Sequence, residues 1–216
     1  MNIALFTSRK ATRFRLAMEQ SMEFSKSVKL LFTDDKQTLC LKNEMEQKGI
    51  RYELCNWREM EGEYKKRHLM FSDCFLRVLK EEKIDYVFVN GSTILEGEIL
   101  EEYKDKMITF HAGLLPRYAG RTPIDRMVEN NEFLMGAAAL FIDEEVDHGP
   151  IIMESVVCRG NSEQNKYDPV LRTQTEMIVK CFELLRDDRI SINEDRVVQI
   201  RGADYGYYAI FPKIEY

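Results

Sequence analysis

Two side chains of this 216-residue chain have the types and placement for proton chemistry: His111 and Asp147. An imidazole exchanges protons near neutral pH, and a carboxylate beside it orients it for that work. His111 stands where a short apolar run, Met107 to Phe110, meets a loop marked by Gly113, Pro116 and Gly120. Asp147 follows 36 residues later, in the acidic stretch Asp143-Glu144-Glu145-Val146-Asp147-His148-Gly149-Pro150 between two apolar runs. In an open α/β sheet, ligands bind beyond the carboxyl ends of the strands. A histidine at such a junction is placed for acid–base work or is satisfied as an ordinary loop residue; alone it does not separate the two. No metal site is expected, because the three histidines (His68, His111, His148) are far apart and no Cys-x-x-Cys pair is present. The acidic stretch also lacks the ligand spacing and central glycine of a calcium loop.

The elements that must bring these residues together follow from hydrophobic periodicity. Residues 2–7, Val28 to Phe32, Ile50 to Cys55, Asp85 to Val89 and Met107 to Phe110 read as buried strands, with two more over Gly136 to Ile142 and Ile151 to Val157. Helices are expected from the turn after Ser8 to about Phe24, over Gln37 to Lys48 with Gly49 as C-cap, and over Trp57 to Glu82. Further helices are expected over Glu96 to Tyr103, over Pro123 to Asn130, and from Asp168-Pro169, a strong start, to about Arg186. His68 lies near the apolar stripe of its helix and reads as a packing residue. The small residues Ala137, Ala138 and Ala139 leave room for another backbone or a flat ligand.

This alternation predicts an α/β, Rossmann-like fold: an open, mostly parallel sheet with helices on both faces. Residues 1–187 are expected to form one domain, and residues 188–216 a tail. The tail holds a strand over Arg196 to Ile200 and a tyrosine-rich segment (Tyr205, Tyr207, Tyr208), which either stacks on a sugar or base or caps the sheet.

Together, Thr109-Phe110-His111, Leu114-Leu115-Pro116 and Asp147-His148-Gly149-Pro150 resemble the 10-formyltetrahydrofolate-dependent formyltransferases. That group includes the glycinamide ribonucleotide, methionyl-tRNA and sugar-amine N-formyltransferases, and the resemblance covers about residues 1–185. It implies an enzyme with 10-formyltetrahydrofolate as co-substrate and no metal. His111 would hold a proton near the oxyanion, and Asp147 would orient the ring and bind a relay water. Thr109 stands where the family has asparagine, so a hydroxyl replaces an amide donor. Gly113 stands where serine is common.

The resemblance places the folate against Asn90, Gly91, Ser92, Ile94 and Leu95, and against Ile142, Asp143, Glu144 and Val146. Acceptor recognition would fall to Arg117, Tyr118 and Arg121; such arginines pair with phosphate or are simply solvated. Residues 8–13 hold no glycine, unlike the phosphate-wrapping loop of the glycinamide ribonucleotide enzymes. The expected acceptor is therefore another small amine, first an amino sugar carried on a nucleotide. Alternatives stay open: glycinamide ribonucleotide itself, a formyl-folate hydrolase, a weak or inactive folate- or nucleotide-binding protein, which Thr109 suggests, and an interaction module that uses the tyrosine-rich tail.

The net charge of −6 argues against a broad nucleic-acid surface, which needs Lys and Arg. Methionyl-tRNA enzymes add a tRNA-binding barrel, for which this length leaves no room. The five scattered cysteines read as reduced thiols, and the short apolar N-terminus lacks a basic start, so a cytoplasmic protein is expected, with no membrane partner. A homo-oligomer is compatible with the sequence.

Overall fold

A computed structural model describes residues 1–159, 168–206 and 211. Its centre is a seven-stranded sheet in the order β3-β2-β1-β4-β5-β6-β7. β1 (Ile3–Thr7), β2 (Val28–Thr33), β3 (Arg51–Leu54), β4 (Tyr86–Asn90) and β5 (Met107–His111) run parallel. β6 (Leu134–Phe141) and β7 (Ile151–Cys158) are antiparallel. The central strands are mostly apolar, with polar residues chiefly at their carboxyl ends, because both faces are covered. Successive residues point to opposite faces, so Leu5 and Phe88 join the layer under the helices Thr12–Gln20 and Asp168–Arg186 while Phe6 and Val89 join the layer under the helix Tyr64–Glu81. Stacked and edge-on rings fill both layers: Phe24, Phe88 and Phe182 on one side, Phe6, Phe32, Phe71 and Phe75 on the other.

Three expected helices are each two pieces. The first breaks into α1 (Thr12–Gln20) and α2 (Met22–Ser27) because Ser21 adopts an extended backbone and its hydroxyl accepts from Phe24 N. A serine competes for backbone partners in this way and favours caps over helix interiors. The second opens as 3-10 turns over Lys36–Leu41 before α3 (Lys42–Gln47); Asp35 caps Gln37 N, and Thr38 bonds back to the Asp35 carbonyl. Gly49 ends α3 at φ 70°, as its type foretells. The third is a short 3-10 turn at Trp57–Glu59 followed by α4 (Tyr64–Glu81). Gly62 between them sits at φ 115°, outside any helix.

α5 (Glu98–Glu102) and α6 (Pro123–Glu129) are short, and α7 (Asp168–Arg186) covers the sheet beside α1. The cap expected from the Asp168 and Pro169 side chains lies outside the described residues. The tail holds a hairpin rather than one strand: β8 (Ile190–Ile192) pairs antiparallel with β9 (Val198–Ile200). Arg196 is in its turn at φ 62°, and both guanidinium nitrogens donate to Asp105. Tyr207 and Tyr208 lie outside the described residues, while Tyr205 is exposed and its hydroxyl accepts from Ile200 N. Among the described residues no helix is long and apolar enough to cross a membrane.

Candidate active site

The β1 and β4 strands are neighbours from which the sheet is built in opposite directions. A crevice opens at the carboxyl end of the sheet where the strand order reverses in this way. A cleft lies beside it, over the carboxyl ends of β4 and β5 and the end of β6, and takes in about 690 Å³ with its open mouth. Its walls are the loop after β4, with Gly91, Ser92, Thr93, Ile94 and Leu95, and the loop after β6, from Ile142 to Asp147. Thr109 and the Val89 and Leu140 side chains form its floor.

The β4 loop turns tightly because Gly91 lies over Phe6; a Cβ there would fall 2.4 Å from the ring. A buried carboxylate then fixes the loop. Asp34, 1% exposed, accepts from Ser8 Oγ at 2.6 Å and from the Thr93 hydroxyl, and Ser8 Oγ in turn accepts from Ser92 N at 2.9 Å. The β6 loop is fixed at its far end by Gly149, where a Cβ would lie 1.9 Å from the Phe141 carbonyl oxygen. Asp147, two residues before it, is held at φ 62°.

That geometry brings the two distant residues together. His111 Nδ1 lies 3.2 Å from Asp147 Oδ2, with only 8% and 12% of their side chains exposed. Gly120 N also donates to Asp147 Oδ2, at 2.8 Å. Burial pushes the Asp147 carboxyl up, but the hydrogen bonds from His111 and Gly120 outweigh it and hold the group below the usual carboxylate range. Thr109 lies two residues before His111 on β5, hence on the same face. Among the described residues its hydroxyl makes no hydrogen bond, so it is free to meet a ligand. Thr109 on the floor and Asp147 on the wall line the cleft, and the imidazole of His111 stands behind Asp147, outside the lining itself; together they can hold and move a proton beside a reacting carbonyl.

The other residues singled out by sequence divide. Gly91, Ser92, Ile94, Leu95, Ile142, Asp143, Glu144 and Val146 all line the cleft, with Ile94 and Val146 exposed at its mouth. Asn90 does not: its side chain points to the opposite face of the sheet and accepts from Arg13 at 3.2 Å. Tyr118 is 3% exposed, its hydroxyl donating to Glu132, so its ring is an anchor and offers no open surface. Arg117 pairs with Glu132 at 2.6 Å, and Arg121 is exposed with no ion pair among the described residues. The small residues of β6 receive Leu114 and Leu115 from the loop after His111, leaving no gap for a flat ligand. Sequence reasoning passed over Thr93, Leu140 and Glu145 on the walls, and Asp34 beneath them. Asp34 carried one signal, a carboxylate immediately after a buried strand. Among the described residues no three His, Cys, Asp or Glu side chains are grouped to hold a metal ion.

Comparison with known proteins gives the same direction. Residues 1–180 match the family model described as formyl transferase. The chain is 37% identical over 120 residues to methionyl-tRNA formyltransferase of Thermodesulfovibrio yellowstonii, covering 54% of this chain and 39% of that protein. It is 32% identical over 145 residues to formyltetrahydrofolate deformylase of Haemophilus influenzae, covering 61% of this chain and 51% of that one. The chain thus spans about half, or less, of these relatives. Two solved structures share its fold at low identity. The phosphoribosylglycinamide formyltransferase of Anaplasma phagocytophilum superposes with a TM-score of 0.79 at 19% identity, covering 94% of this chain and 96% of that one. Glycinamide ribonucleotide transformylase 1 of Symbiobacterium toebii superposes with a TM-score of 0.81 at 18% identity, covering 93% of each. With His111 and Asp147 paired at the mouth of the parallel sheet and the family match running through both, this chain belongs to the formyl transferase family.

Proposed function

We propose that this chain moves a formyl group from 10-formyltetrahydrofolate to the amine of a small, anionic acceptor, an amino sugar carried on a nucleotide being the first candidate. The observation that carries the reading is the His111–Asp147 pair at 3.2 Å beside the cleft. The residues around the cleft suit a folate: Ile94 and Val146 offer apolar surface to a flat ring at its mouth, between the walls of residues 91–95 and 142–147. In the reaction the amine nitrogen attacks the formyl carbon, and the carbonyl oxygen becomes an oxyanion. The bond from that carbon to the folate nitrogen then breaks. The amine loses a proton and the leaving nitrogen gains one. His111 supplies the donor to the oxyanion, and Asp147 keeps the ring oriented while its charge supports the proton's passage. Thr109 offers a second donor.

The acceptor side is supported by the opposite face of β4 and β5. Arg13 reaches Asn90 there, and Gln174 of α7, fully buried, donates to the Phe110 carbonyl at 2.8 Å. Among the described residues, Arg13 Nε and Gln174 Oε1 are both buried without a partner. Burial, and then the charge of Arg9, push the Arg13 guanidinium below its usual value. A cation and an amide oxygen left in this state suit a ligand with an anionic group and hydroxyls. Glycinamide ribonucleotide meets the same description and stays as the alternative acceptor. A second reading, a folate-binding protein with little or no turnover, is favoured by one observation: Thr109 reaches less far than an amide would.

The experiment is release of tetrahydrofolate from 10-formyltetrahydrofolate with a panel of nucleotide-linked amino sugars, glycinamide ribonucleotide and no amine at all. Amine-dependent release that disappears in folded His111→Ala supports transfer. Release without amine points to hydrolysis, and folate binding with no release points to the second reading. Full activity in His111→Ala removes the assignment.

A further inference from the structure

The imidazole of His111 makes a contact for which formyl transfer has no use. Its Nε2 lies 2.8 Å from the main-chain oxygen of Tyr118, while Nδ1 faces Asp147 at 3.2 Å. A carbonyl and a carboxylate only accept hydrogen bonds. Facing a carbonyl, Nε2 makes that contact only as a donor. Nδ1 is committed to Asp147, so Nε2 is the donor left for the oxyanion of a substrate. In this structure the chain's own carbonyl takes it.

The segment that supplies this carbonyl is tied down at several points. Gly120 N donates to Asp147 Oδ2 at 2.8 Å. The Arg126 guanidinium donates to the Ala119 carbonyl at 2.6 Å, and Tyr118 N donates to the Leu114 carbonyl at 2.8 Å. The buried Tyr118 hydroxyl donates to Glu132 and accepts from Asn130 at 3.2 Å. The close approach also depends on Gly113. A Cβ at that position would stand 3.0 Å from His111 Nε2, 3.0 Å from Tyr118 Cβ and 2.8 Å from Pro123 Cβ. The approach to Pro123 is closer than real side chains allow and the other two are at the tight limit, so a larger residue there displaces Pro123 and crowds the contact between Tyr118 and His111.

We propose that residues 112–122 form a self-inhibitory strap, closed because position 113 is glycine, in which the Tyr118 carbonyl holds the hydrogen-bonding place on His111 that the formyl oxygen takes in the reaction. The proposal rests on the formyl-transfer reading above. It makes the structure a resting state. Formyl folate and the strap compete for one N–H, and turnover requires the strap to lift. The competing contact is one hydrogen bond, which corresponds to a population bias of up to about tenfold.

The test follows the strap itself. Backbone amide exchange is measured at Tyr118 and Gly120 in the full chain, with and without 10-formyltetrahydrofolate, alongside calorimetric binding of the same folate. Faster exchange at Gly120 on binding is the expected result, because its bond to Asp147 is released with the strap. Unchanged or slower exchange on a folate that demonstrably binds overturns the strap and leaves the formyl-transfer reading standing. Gly113→Ala gives an independent arm. It is expected to exchange faster at Gly120 without folate and to bind the folate more tightly, by up to about tenfold. A folded Gly113→Ala with wild-type exchange and wild-type affinity overturns the strap as well. If the wild-type chain binds no folate, the formyl-transfer reading fails and the strap fails with it.

Discussion

Thr109 sits at the floor of the cleft with its hydroxyl unpartnered among the described residues. An amide at this position would carry an N–H further into the cleft. Loss of one oxyanion donor in other acyl-transfer enzymes costs roughly 10²–10³ in rate. Thr109→Asn is therefore expected to raise kcat for formyl transfer, by up to about 10²-fold, with little change in KM. A lower kcat in the folded variant would mean that the hydroxyl is already the fitted donor. His68 makes a separate statement about pH. It is 1% exposed, packed between the Trp57 and Tyr64 rings, and among the described residues neither ring nitrogen has a partner. Desolvation lowers its pKa; Glu96 and Asp34 oppose this, while Arg67 and Arg58 add to it. The unfolded chain then binds a proton more readily than the folded one. The stability contributed by neutral His68 is complete above the ordinary imidazole range near 6.5 and is lost as pH falls below it. His68→Phe should flatten the pH dependence of the urea midpoint between about pH 7 and 5. An unchanged slope would assign the acid sensitivity elsewhere. The depressed Asp147 carboxyl acts in the same direction at lower pH: its contribution is present above the ordinary carboxylate range and lost as pH falls through its own value.

At the scale of elements, placing the pair depends on a hairpin more than on a helix. β6 and β7 return antiparallel beside β5, with His111 opposite Ala138, and the loop between them carries Asp147 back over the end of β5. The hairpin closes through Phe141 N donating to the Pro150 carbonyl at 3.0 Å, with Gly149 against the Phe141 oxygen. Gly149→Ala is expected to cost about 1–3 kcal/mol by overpacking and to draw Asp147 away from His111. The check is a paired one: denaturant midpoint, and formyl-transfer rate in the fraction that remains folded. Activity kept in full despite lost stability would show that the loop finds its geometry without the glycine. The broken helices belong to this scale too. Hydrophobic spacing runs on through Ser21 and Met60, so periodicity joins what a serine cap and a left-handed glycine separate.

For the molecule as a whole, the open question is where the folding unit ends. We expect residues 1–187 to form it, with the hairpin as an accessory. Ile190, Ile192, Val198 and Ile200 pack half-buried against the core under α7, and Arg196 pairs with Asp105 at the surface. Four half-buried aliphatic side chains contribute about 4 kcal/mol at most, and an exposed ion pair contributes little. Truncation after residue 187 should lower the thermal midpoint yet leave one cooperative transition. A chain that fails to fold without the hairpin would make it part of the domain.

The sequence by itself determined the layered α/β architecture, because near-continuous apolar strands alternating with helical periods have few other ways to be buried. It also determined the candidates Thr109, His111 and Asp147, since their types and their neighbours Leu114-Leu115-Pro116 and Gly149-Pro150 are local features. Only the tertiary structure decided which candidates face the same space. Asn90 and Thr109 sit on neighbouring strands but point to opposite faces, a parity that depends on strand register. Tyr118 became a buried anchor, and its carbonyl, which no side-chain pattern reports, came to rest on His111. Asp34 met Ser8 and Thr93 across three strand ends, a contact between segments up to 59 residues apart that local spacing does not encode.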